Sequence, residues 1–327
     1  MRLSKRQRVV AAVTVFSVAV IVSTFLLFIF FLSPQRTFVI SESYRITSAV
    51  GSESYLQVCL PESNAYQEVS DFTIQGVDNY TMERFDGWCE LTVRIPANKP
   101  EVLVTITYTV KLKRNVMPWD SEVREAYSQP QQYVDSDNQA VINQATLLRG
   151  DNDYQTAQNI LVFVHKTMRS PTGPQTNTTQ LSASELLETP VGVCADNAIL
   201  MTALLRANGI PARLISGLVF QIPLKGAGDW SHRGGAHSWV EFYVNGKWHF
   251  ADPTWGLFDQ SDVAHLSYGI YEANIQSDFQ QQRLEALDSN TFQVVGAMSA
   301  PLSFIVYSTD GNTAVTPRAD VSYSLFK

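Results

Sequence analysis

Cysteine is scarce in this 327-residue chain, which has only Cys59, Cys89 and Cys194. That excludes a disulfide-dense secreted scaffold, which replaces a large core with many bridges. Basic charge is also short. Of the 24 Lys and Arg, four (Arg2, Lys5, Arg6 and Arg8) lie in the first eight residues, leaving 20 against 31 acids. Phosphate backbones need a basic face, so nucleic acid is excluded as the main partner. Also missing are H-E-x-x-H, C-x-x-C, G-x-S-x-G and P-loop patterns, and any repeat of solenoid period. Zinc-peptidase, dithiol, serine-hydrolase and nucleotide chemistry therefore have no signature here, and no metal or other cofactor is implied. What the chain does have is apolar content, 45% hydrophobic and 11% aromatic, enough for a sizeable core and too much for wholesale disorder. Its length suits about two domains.

Val9 to Leu32 carries no charged residue. As a helix this stretch is about 36 Å long, enough to cross a bilayer. It exceeds the apolar region of a cleavable signal and ends in Phe28-Ile29-Phe30-Phe31-Leu32-Ser33-Pro34 rather than in small residues. The sequence thus predicts a basic cytoplasmic tail over 1–8, an uncleaved transmembrane anchor over 9–32, and the remaining chain outside the cytoplasm.

Residues 35–114 read as a small β-sandwich-like domain of short alternating runs. The clearest is Val102 to Lys113, with Val102, Val104, Ile106, Tyr108, Val110 and Leu112 in one phase and Thr or Lys in much of the other. In an oxidising compartment Cys59 and Cys89 are the natural pair, whereas the strand phases argue for separate faces, and both states stay open. Residues 115–150 read as a polar connecting arm. A core over 151–258 follows, and 259–327 reads as its C-terminal extension.

In that core, Asp151 or Asp153 can cap a helix whose Tyr154, Ala157, Ile160, Leu161, Val164 and Met168 follow helical spacing, with His165 at the stripe's edge. Ser182-Ala183-Ser184-Glu185 is a capping box for a short helix through Glu188. The next helix starts at Cys194 and stops at Gly209 ahead of Pro211. A strand over Arg213 to Phe220 and a Gly-rich loop lead to a hairpin around Asn245-Gly246, whose two-residue turn pairs Val244 with Lys247. That register sets His237 opposite Thr254 and Trp239 opposite Asp252. His237 and Asp252 are then diagonal neighbours on one face, about 7–8 Å apart at the backbone, and His249 points to the other face.

A carboxylate fixes the tautomer of a histidine and raises its affinity for a proton, which equips it to deprotonate a thiol. A thiol at a helix N-terminus is in turn stabilised as the thiolate. The constellation is therefore nucleophile Cys194, base His237 and orienting Asp252. Trp239 and Trp255 are candidates to line a substrate channel.

These residues resemble the transglutaminase-like superfamily of papain-like folds. The resemblance is carried by Gly192-Val193-Cys194-Ala195-Asp196-Asn197-Ala198, then Leu204 to Arg213, Ala236-His237-Ser238-Trp239-Val240-Glu241, and Trp248-His249-Phe250-Ala251-Asp252-Pro253-Thr254. It implies an α+β papain-like transglutaminase core, with the helix bearing Cys194 packed on an antiparallel sheet bearing His237 and Asp252. It also implies acyl transfer through a thioester on Cys194, acting on peptide or glutamine amide bonds of a protein or peptide substrate in the cell envelope. An envelope peptidase or amidase, or a non-catalytic binding module, are the alternatives. The aromatic often found upstream of the family's cysteine has no counterpart in Met168 to Thr179. Asp135-Ser136-Asp137-Asn138 lacks the rest of a calcium loop.

Mass spectrometry of the membrane-extracted chain should find residues 9–32 retained; a mature N-terminus near residue 34 would overturn the anchor.

Overall fold

The computed structural model describes residues 35–48, 51, 53–85, 88–114, 123–172, 180–220, 234–271, 293–298, 304–308 and 313–324. The expected tail over 1–8, the anchor over 9–32 and most of the Gly-rich loop lie outside the described residues. Among the described residues no helix is long and apolar enough to cross a membrane.

The first half is β1 (Gln35–Thr47), β2 (Ser54–Pro61), β3 (Gln67–Gln75), β4 (Tyr80–Phe85), β5 (Trp88–Ile95) and β6 (Glu101–Lys113). After a short 3-10 turn at Glu125–Ser128 come α1 (Gln139–Leu147), α2 (Asp153–Thr167), α3 (Ala183–Glu188) and α4 (Cys194–Ala207). Then follow β7 (Ala212–Phe220), β8 (Gly234–Val244), β9 (Lys247–Asp252), β10 (Leu257–Phe258), β11 (His265–Tyr271), β12 (Gln293–Met298), β13 (Phe304–Ser308) and β14 (Ala314–Ser324).

Two antiparallel sheets, ordered β14-β1-β6-β3 and β12-β13-β2-β5-β4, make the sandwich. Alternation decides which residues meet between them. Phe38, Ile40, Val104 and Ile106 from one sheet join Leu56, Val58, Leu91 and Val93 from the other in one buried cluster. The strand expected over Val102 to Lys113 is β6. Cys59 pairs with Glu90 and Cys89 with Leu60, so the two cysteines point to opposite faces and both are free.

Two expected boundaries need correction. Within 259–327, expected to extend the core, β13 pairs with β2, β12 with β13 and β14 with β1, so these three strands belong to the sandwich. The chain thus leaves the sandwich, builds the core and returns, because the outer strand of each sandwich sheet is supplied from the far end of the sequence. The connecting arm is also partly core: α1 buries Val141 and Ala145 in the helical cluster.

The core sheet runs β10-β9-β8-β7-β11, with antiparallel neighbours throughout. Val240, Phe242, Val244 and Leu214 cluster with apolar residues of α4, so the helix lies on that face. Asn152, rather than Asp151 or Asp153, caps α2 by accepting from the Gln155 N–H at 2.9 Å. Ser182 and Glu185 form the expected capping box of α3.

Sandwich and core meet at a buried carboxylate. Glu42 of β1 accepts from the hydroxyls of Tyr44 at 2.7 Å, Tyr268 at 2.9 Å and Tyr108. Burial pushes its carboxyl above the ordinary range despite the opposing pull of the three hydroxyls. Glu42→Ala leaves those hydroxyls without their acceptor and should cost about 3 kcal/mol in chemical denaturation, with Glu42→Gln costing less. Losses below about 1 kcal/mol for both would show that the cluster does not join the two halves.

Candidate active site

Helix α4 begins at Cys194 because Val193 is extended and its N–H is taken by Asp196 Oδ2 at 2.8 Å. Gln180 Nε2 holds the other oxygen of Asp196 at 2.6 Å. The half-buried Cys194 follows as the first helical residue, flanked by the exposed apolar side chains of Val191 and Val193. One turn on, Asn197 Nδ2 donates to Thr254 Oγ1 at 3.1 Å, tying the helix start to the turn after Asp252.

The hairpin register is as expected from Val244↔Lys247 to Val240↔Ala251. The β8–β9 ladder ends there, and on the opposite edge of β9 Asp252 pairs with Leu257 of β10 across a turn over 253–256. The turn closes at Gly256, whose φ of +69° suits glycine. His165 Nδ1 sits 3.0 Å from the Pro253 carbonyl, so this histidine braces the turn. His249 lies on the other face, between Asp259 at 2.8 Å and the Val244 carbonyl at 3.1 Å.

His237 Nε2 lies 2.9 Å from Asp252 Oδ2, and the His237 side chain is also hydrogen-bonded to Cys194. With Nε2 engaged by the carboxylate, Nδ1 is the nitrogen left for the thiol. The structure therefore brings Cys194, His237 and Asp252 into one chain of hydrogen bonds. Trp255 stacks on the His237 ring, centroids 5.0 Å apart, and is 42% exposed, so it covers the histidine at the surface. Trp239 is fully buried with Ile215 and Phe250, so its place is core rather than channel lining.

Asp252 is itself fully buried. Its Oδ1 accepts from the N–H groups of Thr254 at 2.8 Å and Trp255 at 3.2 Å. Its Oδ2 faces a second imidazole, His265 Nε2, at 3.2 Å. Sequence reasoning missed His265. The local signal was Asp262, three residues ahead, whose Oδ1 accepts from the Ala264 and His265 N–H groups at 2.7 and 3.0 Å and meets His265 Nδ1 at 2.9 Å. Strand β11 reaches this position because Gly217 of β7 has no side chain; a Cβ there would lie 2.0 Å from the Leu266 carbonyl oxygen.

Burial opposes the charge on His237, but the bonds to Asp252 and Cys194 outweigh it and lift its pKa to about 9. Burial likewise works to raise Asp252, yet the two imidazoles hold it well below the usual carboxylate range. For His265, the two carboxylates overcome burial and raise it. Donor atoms of His237, Asp252 and His265 lie within 4.8 Å of one another, close enough for a metal ion. Each ring nitrogen there already has a proton-sharing partner, so the group reads as a hydrogen-bonded chain rather than a ligand set.

Residues 141–253 match the family model of the transglutaminase-like superfamily. This segment is a transglutaminase-like core. The fold is similar to that of a candidate cysteine protease from Cytophaga hutchinsonii, with TM-score 0.51 and 17% identity over 89% of this chain and 98% of that one. The periplasmic domain of TgpA from Pseudomonas aeruginosa is also similar, with TM-score 0.38 and 19% identity over 64% of this chain and 72% of that one. No curated protein matches in sequence. The transglutaminase-like core is flanked in the sequence by sandwich strands on both sides.

Linkage fixes how this transglutaminase-like site responds to pH. Because the His237 pKa is raised from 6.5 to about 9, its stabilisation is complete below about 6.5 and disappears as pH rises through about 9. That gap corresponds to about 3 kcal/mol. Asp252, being lowered, contributes above about 3.9 and loses its contribution as pH falls through its folded-state value. The thermal midpoint should therefore fall between about pH 6.5 and 9, and His237→Gln should flatten that fall. Parallel wild-type and variant profiles would overturn the assignment.

Proposed function

We propose that this chain is a membrane-anchored, extracytoplasmic cysteine enzyme. It transfers or hydrolyses acyl groups of peptide or glutamine amides through a thioester on Cys194. The observation that carries this reading is the hydrogen-bonded chain Cys194–His237–Asp252 at a helix start. His237 takes the thiol proton, and the sulfur bonds to the substrate carbonyl carbon, whose π electrons move to oxygen. The backbone N–H of Cys194 at the helix start is the oxyanion donor the site supplies. Collapse of the intermediate breaks the C–N bond, and the His237 imidazolium gives its proton to the leaving amine or ammonia. Water, or an amine in its place, then attacks the thioester carbonyl with His237 again taking the proton, and collapse breaks the C–S bond to return the Cys194 thiolate; the first route is hydrolysis and the second crosslinking. The exposed Val191, Val193 and Trp255 around the nucleophile suit an apolar stretch of a protein or peptide substrate in the cell envelope. The anchor rests on the uncharged run Val9 to Leu32 with basic residues before it.

Glutamine-containing peptides with and without an amine acceptor separate the two routes, by amine incorporation or by simple release. His237→Ala should lower kcat/KM by about a thousandfold and Asp252→Asn by about a hundredfold, with folding retained by circular dichroism. Full activity of folded His237→Ala would sink the mechanism.

A further inference from the structure

His265 is the buried histidine of the site that acyl transfer does not itself use. Its two ring nitrogens face different carboxylates, Nε2 that of Asp252 at 3.2 Å and Nδ1 that of Asp262 at 2.9 Å. A neutral imidazole carries one N–H, so it would turn a lone pair on one of the two anions. Both contacts are hydrogen bonds only when both nitrogens are protonated.

We infer that His265 is a positioning residue held as an imidazolium between Asp252 and Asp262, where it shares Asp252 with His237 and limits how tightly His237 keeps its proton. The inference rests on the reading of Cys194, His237 and Asp252 as the reacting chain. Its geometry is rigid: Asp262 also caps the Ala264 and His265 N–H groups. Among the described residues, the charged or titratable groups facing the ring are Asp252 from β9, Asp262 from the preceding turn and His237 from β8, with ring centroids 5.3 Å apart for the two histidines. Its remaining ring contacts are aromatic, with Trp239, Phe250 and Trp255.

The consequence falls on His237, which must both accept the thiol proton and return it to the leaving amine. A buried carboxylate devoted to His237 alone would make it a strong base and a poor acid. A second cation on the same Asp252 oxygen reduces that bias. At 5.3 Å and an effective dielectric constant of about 20–40, the two like charges oppose each other by about one to two pH units.

The test follows alkylation of Cys194 by iodoacetate against pH in the full chain, read by peptide mass spectrometry. Iodoacetate is an anion drawn by the His237 imidazolium, so the alkaline limb of its rate reports His237. In wild type the limb should lie near pH 9, the value set for His237. His265→Gln should move it up by about one pH unit. Asp262→Asn keeps a carbonyl oxygen for the two backbone caps but removes the charge that keeps His265 protonated, so it should move the limb the same way. A lower plateau with the limb unmoved in both variants would mean that His265 only packs, and would overturn the inference. Nitrogen-15 NMR of histidine-labelled wild type gives a reading independent of reactivity: one histidine, identified by its loss in His265→Gln or its shift in Asp262→Asn, should keep both ring protons above the pH range in which a free imidazole loses one. A singly protonated His265 at pH 7 would overturn the inference even with an activated Cys194. A Cys194 no more reactive than a free thiol, beside a doubly protonated His265, would instead bring down the enzyme reading and with it the positioning role.

Discussion

The site depends on one fully buried carboxylate. An isolated carboxylate in the position of Asp252 would cost several kcal/mol or simply take up a proton. It stays ionised because two backbone N–H groups hold one oxygen and two imidazoles hold the other. Each of those donors is thereby fixed in turn. The backbone donors shape the turn over 253–256, which sets Trp255 on the histidine ring, while the imidazole bond leaves Nδ1 of His237 for the thiol. Asn197 then secures the helix of Cys194 to the same turn. Thiol, imidazole and aromatic cover are thus located by the demand of one anion for partners.

The sandwich supports this arrangement from behind. Tyr66 donates to Glu241 at 3.0 Å, and Glu241 pairs with Arg213 at 2.6 Å in a buried cluster beneath β7 and β8. Gln67 accepts from the Ser267 N–H and donates to its carbonyl, both at 2.8 Å, as an edge strand would. With Tyr268 on Glu42, these bonds grip β11 from the sandwich side while His265 on the same strand faces the site. Breaking one partner of such a buried polar pair costs more than the pair contributes, so the contacts act as registration devices between two sheets that could otherwise slide.

What the sequence made legible follows from which geometry is local. The Asn245-Gly246 turn dictates its own ladder, so the proximity of His237 and Asp252 could be computed before any coordinates, as could the start of α4 at Cys194 and the capping box at Ser182. Illegible were the features fixed by distant pairing. Nothing near residue 293 signals that β13 joins β2 with β12 outside it, or that β14 lies beside β1, because those pairings reach back to strands near the start of the chain, as in Phe304↔Val58 and Ser324↔Thr37. His265 belongs to the same class. It reaches Asp252 through the pairing of β11 with β7, and that pairing is permitted by a missing side chain at Gly217. For Trp239 alternation gave the face but not the burial, which comes from Ile215, Phe250 and His265 on neighbouring strands.

A charge count explains why a second histidine belongs behind the first. With Cys194 as thiolate and only His237 protonated, the site would hold three anions, Cys194, Asp252 and Asp262, against one cation, in surroundings that solvate charge poorly. Protonation of His265 leaves a single net negative charge, which sits on the sulfur at the N-terminus of α4, where the helix carries partial positive charge. The residual charge is then on the atom that the proposed mechanism makes the nucleophile, and the two carboxylates that orient the imidazoles are each matched. On that electrostatic argument His265 and Asp262 form one neutral unit, added behind a Cys-His-Asp chain so that its carboxylate can be buried without making its base too strong to give the proton back.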